Sequence, residues 1–294
     1  MTVAPRGKTQ PCGTEDLVTE ACDINGVSRC LGLVINTSNQ PEYLGRVLRG
    51  VSLQVTRPDE VLLADDGSGP ETRAVFTAWA ANQKDIRTEH IWQEHAGFRR
   101  ARILNEAIAR ARSEYLVFLD GDTIPHPRFV ADHLHLRKSS AFIQGHRALL
   151  KQLGAVWFGL GEFSRDRRRA LLRGQLQGLK HAYRWPSPIV RSNPDLRGIR
   201  GCNLAIWRND LLRVNGYNEA FVGWGREDSE LAVRLMNSGL WKRDVRGWAL
   251  CYHLWHPPAS RDLLKANDEL LDEARRGGVT RCELGLEQHS PDRP

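Results

Sequence analysis

From Leu31 to Asp122 the chain alternates short, apolar, β-branched runs with segments of about a dozen residues whose apolar positions recur at helical spacing. "LGLVINT", 31–37, reads as a strand. "PEYLGRVLRGVSLQ" then places Leu44, Val47, Leu48 and Val51 on one helical face behind a proline suited to a first turn. "EVLLADDG", "IRTEHIWQ" and "EYLVFLDGD" read as further strands, separated by the helical patterns "PETRAVFTAWAANQ" and "RRARILNEAIARAR". The alternation predicts βαβ units around a parallel sheet, with helices on its faces. Ligands of such open sheets lie beyond the carboxyl ends of the strands. Three of these ends are polar: Thr37 to Asn39, Asp65 with Asp66, and Asp120 to Asp122.

The character changes near residue 145. "GEFSRDRRRALLRGQLQGLKHAYRWPSP" is strongly basic and would align Leu172, Leu176, Leu179 and Tyr183 if helical, against which Gly174 and Gly178 weigh. Such a segment either meets an anionic membrane surface or is a solvated helix. A second ordered block, "IRGCNLAIWRNDLLRVNGYNEAFVGWGREDSELAVRLMNSG", is followed by a strand-like "WALCYHLWHPP", then by one helix and a loose polar tail. The expected divisions are an extension over 1–30, a half over 31–145, a second half over 146–260, and a helix with tail over 261–294.

The 294 residues, 41% of them hydrophobic, suffice for a sizeable core. The six cysteines show no zinc-like spacing and are expected to be reduced thiols. No run approaches the roughly 18 uncharged apolar residues of a membrane span, and the N-terminus lacks the apolar core of a secretion signal. A cytoplasmic location is therefore expected. A net charge of +7 favours an anionic partner without choosing among nucleic acid, phosphorylated small molecules and lipid surfaces.

Several short stretches carry candidate chemistry. Asp120 and Asp122 flank Gly121 directly after "YLVFL", so two hard oxygen donors can converge where the backbone turns; they suit Mg²⁺ or Mn²⁺, although Asp-Gly-Asp alone is also a common turn. Asp65 and Asp66 are turn formers that could also accept hydrogen bonds from a base or ribose. Gly97, Arg99, Arg100, Arg102 and Asn105 open a helix in a manner suited to a diphosphate. In "GWGREDSE", Glu227 and Asp228 either cap a helix or supply a general base, and Trp224, between glycines, is a platform for a sugar ring. His253 and His256 are candidates for a further metal ligand.

Taken in order, "LVINTSNQPEYL", "LLADDGS", "HAGFRRARILNEAI", "YLVFLDGD", "IRGCNLAIWR", "GYNEAFVGWGREDSEL" and "YHLWHP" resemble glycosyltransferase family 2 enzymes, specifically those whose second half is similar to the C-terminal module of galactosyltransferases. The resemblance implies a GT-A fold: a Rossmann-like nucleotide-binding half fused to an acceptor-binding half around a mixed central sheet. It implies that Thr37, Asn39, Asp66 and the adjacent Asp65 hold the nucleotide-sugar with Gly97, Arg99 and Arg102, and that Asp120 faces the ribose. Asp122 and His253 would ligate Mn²⁺ or Mg²⁺, His253 in preference to His256. Asp228 would be the base of an inverting transfer, with Glu227 beside it and Trp224 and Gly225 at the acceptor. The implied donor is a UDP-sugar, and the implied acceptor a glycan, free or lipid-linked, in surface polysaccharide or lipopolysaccharide synthesis. The enzyme would then work in the cytoplasm, and the membrane reading of the basic segment would place it peripherally at the inner face of the cell membrane. "NTSNQ" departs from the entry sequence of many relatives.

Three other readings compete. A nucleic-acid-binding protein is disfavoured because acids gather at the sheet mouth, where they would repel a phosphate backbone. A nucleotidyltransferase would share the sheet and the metal acids but has no use for "GWGRED". A catalytically inactive binder of nucleotide-sugars would keep the same residues.

Overall fold

The strands and helices expected up to Asp120 form in the expected order: β1 (Leu31–Thr37), α1 (Pro41–Ser52), β2 (Glu60–Asp66), α2 (Pro70–Ala80), β3 (Arg87–Gln93), α3 (Arg100–Arg110) and β4 (Tyr115–Asp120). The structure, a computed structural model, describes residues 30–192 and 194–289, so the expected N-terminal extension, Cys12 and Cys22 lie outside the described residues. Side chains of the central strands alternate between two apolar layers. Leu31, Leu33 and Ile35 of β1 and Tyr115, Val117 and Leu119 of β4 pack with Leu44, Val47, Leu48 and Val51 of α1. Val34, Leu116 and Phe118 point the other way, onto Ile103, Leu104, Ala107 and Ile108 of α3. Complete burial of such side chains is worth about 1.5–3 kcal/mol each, which is why these strands read as unbroken apolar runs.

The chain continues through β5 (Thr123–Pro125), α4 (Phe129–Leu136), β6 (Ala141–Gln144), β7 (Arg147–Leu150), α5 (Gln152–Trp157), α6 (Phe163–Leu172), β8 (Leu176–Gln177) and β9 (Ile189–Ser192). It ends with β10 (Leu204–Trp207), α7 (Arg208–Arg213), α8 (Glu227–Asn237), β11 (Trp241–Arg246), β12 (Cys251–His253) and α9 (Leu264–Arg276). The large sheet has the order β3-β2-β1-β4-β10-β6-β11-β9. It is mixed, because β10 runs antiparallel between β4 and β6. The strands β1, β2, β4, β6 and β11 therefore deliver their carboxyl ends to one edge. A smaller sheet, β5-β12-β7-β8, stands beside that edge.

Gly174 and Gly178, which weigh against a continuous helix in the basic segment, do divide it, and the stripe through Leu172, Leu176, Leu179 and Tyr183 does not form. Helix α6 stops at Leu172, and Gly174 (φ 59°) and Gly178 (φ 70°) turn the chain through a left-handed conformation that glycine adopts without steric cost. Leu176 then faces inward in β8, whereas Leu172 is 85% exposed. The end of the chain, as far as residue 289, is not a loose tail either. Cys282 and Leu286 are buried, Leu286 N–H donates to Asn215 O at 2.9 Å, and His289 lies 2.6 Å from Glu219. Among the described residues no helix is long and apolar enough to cross a membrane.

Candidate active site

The register of the two sheets assembles the first part of the site. Pairing of β12 with β5 sets His253 opposite Thr123, and Leu254 N–H donates to Asp122 O at 2.9 Å, so the histidines are carried to the Asp-Gly-Asp turn. One donor atom each from Asp122, His253 and His256 falls within 4.8 Å of the others. A carboxylate oxygen and two imidazole nitrogens are a donor set suited to Mn²⁺, and these residues fit a divalent cation on that chemistry. His256 Nε2 is 3.1 Å from the Asp122 carboxylate and His253 Nε2 is 3.6 Å, so both histidines converge. Burial pushes His253 down to about 4, leaving its ring neutral and able to ligate. Burial alone would raise Asp122, but the His256 hydrogen bond and the two imidazoles hold its carboxyl below the usual range.

The second part is centred on Arg100. Its guanidinium is 2.9 Å from Asp228, 3.1 Å from Glu227 and 3.5 Å from Asp120, and its Nε donates to Asn36 Oδ1 at 3.2 Å. The first turn of α3 supplies Arg100, the carboxyl end of β4 supplies Asp120, and the start of α8 supplies Glu227 and Asp228. Asn36 and Asp120 are register partners across β1 and β4. Gly201 N–H donates to the second Asp228 oxygen at 2.6 Å. A Cβ at Gly201 would collide with Arg100 and Asp228, so the approach requires glycine there. Asp228 and Glu227 consequently do not cap α8: its N-cap is Arg226, in a left-handed conformation (φ 80°), with no side-chain cap bond.

Three acids around one buried cation do not all ionise easily. Burial pushes Glu227 up to about 7, helped by Asp228 and opposed by Arg100. Burial likewise pushes Asp120 up to about 6, Arg100 opposing and Asp122 adding to the rise. A carboxyl whose pKa is higher in the folded state makes folding less favourable as pH rises from its unfolded value, 4.5 for Glu227, towards about 7. Glu227→Gln removes that loss, so the stability of the variant relative to wild type should improve by on the order of 2 kcal/mol between about pH 5 and about pH 8. Urea midpoints at both pH values read the effect, and a difference independent of pH would mean that Glu227 ionises normally.

The remaining residues singled out from sequence are distributed unevenly. Thr37 sits at the mouth of β1 with its buried Oγ1 unpartnered, and a Cβ at Gly121 would come within 2.8 Å of it, which explains the glycine between the two acids. Asn39 bridges to the next turn, its N–H donating to Ser68 Oγ at 2.8 Å and its Oδ1 accepting from Gly69 N–H at 3.1 Å. Asp65 turns inward, accepting from Ser68 N–H at 2.9 Å and meeting His90 at 2.8 Å. Asp66 accepts from Gln93 at 2.7 Å and from Arg99 N–H at 2.9 Å. Both carboxylates thus build the rim of the cleft. Gly97 is exposed with φ 79°. Arg99 and Arg102 do not join Arg100; they line a separate cavity of about 220 Å³ with Glu219 and Gln288, and Arg102 pairs with Glu106 at 3.5 Å. Trp224 is 42% exposed under the Arg261 guanidinium at 5.2 Å, and Gly225 O accepts from Asn267 at 2.9 Å.

Two contributors escaped the sequence-based selection, Gly201 and Arg147, the last 3.8 Å from Asp120 with a buried, unpartnered Nε; Arg100, expected to meet a diphosphate, meets acids of its own chain. Arg100 carried a legible signal, because it falls on the buried stripe of α3 with Ile103, Leu104, Ala107 and Ile108. An arginine on an apolar stripe must meet acids from elsewhere. Gly201 and Arg147 show no comparable pattern.

The structure of the mannosyltransferase PcManGT from Pyrobaculum calidifontis, in complex with GDP-Man and Mn²⁺, superposes with a TM-score of 0.52 at 16% identity, over 85% of this chain and 71% of that one. That of S. aureus TarS 1-349 gives 0.59 at 13% identity, over 88% and 68%. The fold is that of the GT-A glycosyltransferases. More particularly, residues 33–151 match the family described as glycosyl transferase family 2, and residues 190–256, on the C-terminal side, match the family described as the N-terminal domain of galactosyltransferase. Relatives include chondroitin synthase from Escherichia coli, 24% identical over 79% of this chain, and validoxylamine A glucosyltransferase from Streptomyces hygroscopicus subsp. limoneus, 26% identical over 71%. The chain spans only 35% and 48% of the lengths of these two relatives.

Proposed function

We propose that this chain transfers a sugar with inversion from a nucleotide-sugar, a UDP-sugar by family expectation, to a glycan hydroxyl in polysaccharide or lipopolysaccharide synthesis. The observation that carries the reading is the meeting, at one sheet edge, of a cation-type donor set (Asp122, His253, His256) with the Arg100-linked acids Asp120, Glu227 and Asp228. A divalent ion in that donor set supplies positive charge against a departing diphosphate. Thr37 Oγ1 and Arg147 Nε, buried without protein partners, are polar atoms that a bound donor would satisfy. Asn39 and the Asp65–Asp66 turn shape the nucleotide side, while Trp224 and Gly225 form the acceptor side. Asp228, fixed through both oxygens, takes the acceptor proton. A second reading gives that role to Glu227, because a carboxyl held near 7 is the better proton acceptor at neutral pH.

Thermal unfolding with UDP, GDP, CDP or dTDP, each in Mn²⁺ or EDTA, tests the reading, since a ligand specific to the folded state at a hundredfold excess over its Kd stabilises by about 2.7 kcal/mol. One diphosphate should raise the midpoint in Mn²⁺ and not in EDTA, and Asp122→Ala should erase that difference. An unchanged shift in Asp122→Ala would remove Asp122 from the cation site. Absence of any shift in wild type would favour a protein that does not use nucleotide-sugars.

A further inference from the structure

The surface formed by α5 and α6 joins exposed aliphatic side chains to arginines. Helix α6 turns Phe163, Asp166 and Ala170 inward at spacings of three and four, which leaves Arg165, Arg168 and Leu172 outward, with Arg173 just beyond. Leu153 and Val156 of α5, and Leu160 after it, are 71%, 64% and 54% exposed. The two helices pack side by side: Arg169 stacks on Trp157 at 4.4 Å, and Phe158, just past α5, meets Phe163 at 6.0 Å between ring centroids. From Lys151 to Lys180 the sequence has seven basic residues and two acids, Glu162 and Asp166. Asp166 is turned away, accepting from Gly159 N–H at 3.0 Å and Gly161 N–H at 3.1 Å.

We infer that this face docks on an anionic lipid bilayer surface. Arginines alone would suit any polyanion. Four aliphatic side chains left in water among them are used only by a partner with an apolar interior beneath its negative charge, where they insert while guanidinium groups stay at the headgroups. The face also lies close to the site: β7 starts at Arg147, beside Asp120, and Lys151 follows its last residue, about 13 Å along at strand rise. A lipid-borne acceptor could therefore reach the cleft from the docked enzyme. That last step rests on the glycosyl-transfer reading, whereas docking itself does not.

Flotation of the purified full chain with phosphatidylcholine vesicles, with and without phosphatidylglycerol, reads docking without turnover. Binding is expected only when phosphatidylglycerol is present, and should weaken at least about tenfold both in Arg165→Gln with Arg168→Gln and in Leu153→Glu with Leu172→Glu. Both double variants should keep the wild-type unfolding midpoint and nucleotide response, which separates loss of docking from loss of fold or donor binding. Equal binding with and without phosphatidylglycerol, or none, overturns the inference. So does full vesicle binding by the leucine variant, which would make the face a site for soluble polyanions.

Discussion

Asp228→Asn should lower sugar transfer about a thousandfold while leaving nucleotide affinity in Mn²⁺ unchanged, the size and selectivity expected when a positioned proton acceptor is removed. The substitution keeps shape and leaves an amide oxygen for the Gly201 N–H, which donates to Asp228 at 2.6 Å. It removes the charge that faces Arg100 at 2.9 Å. Initial rates with saturating donor, beside calorimetric titration of the diphosphate, separate the two effects. If Asp228→Asn turned over normally while Glu227→Gln did not, the proton would go to Glu227, in line with its pKa near 7. If both turned over normally, neither acid would be the base.

Arg100→Met should be the most destabilising single change at the site, by about 3–5 kcal/mol, the usual effect of removing one partner from a buried ionic cluster. The guanidinium is the common partner of Asp120, Glu227 and Asp228, within 3.5 Å of each. Without it the three acids, all largely buried, face one another with no cation between them. The loss should be smaller near pH 5, where Asp120 and Glu227, raised to about 6 and about 7, can accept protons and relieve the repulsion. Arg100→Lys, which retains charge but not the planar fork, should fall between. Urea unfolding at two pH values measures all three proteins, and a loss below about 1 kcal/mol for the methionine variant would show that the cluster is open to solvent.

Much of this architecture was readable in advance, for a physical reason. Buried parallel strands such as "LGLVINT" and "YLVFLD" need apolar residues on both faces, and their helices need one apolar stripe; the two periods cannot be confused over this length. The acids at the end of β4 and the pair opening α8 were visible because charge directly beside such runs is costly. What local pattern could not resolve was rotation about a helix axis at a helix start. Arg99, Arg100 and Arg102 are alike in composition, yet only Arg100 lies on the stripe that faces the sheet. Asp65 and Asp66 likewise read as ligand contacts, but His90 and Gln93 on the neighbouring β3 engage them. The final residues looked loose because Cys282 and Leu286 dock on the segment around Asn215, a contact distant in sequence. Where Gly174 and Gly178 interrupted a leucine stripe, the backbone preference prevailed over the pattern.

The antiparallel β10 between β4 and β6 also bears on how the molecule is made. As the nascent chain lengthens, β1 to β4 can pair as soon as Asp120 is available, but the far edge of β4 has no partner until Leu204–Trp207 arrives. β6, synthesised long before, cannot substitute for it, because it joins the sheet only through β10 and β11. Throughout that interval an apolar strand edge stands open to other nascent chains. A fragment cut near Gly145 would make that interval permanent and should self-associate, although it holds the Asp65–Asp66 turn and the Asp-Gly-Asp turn complete.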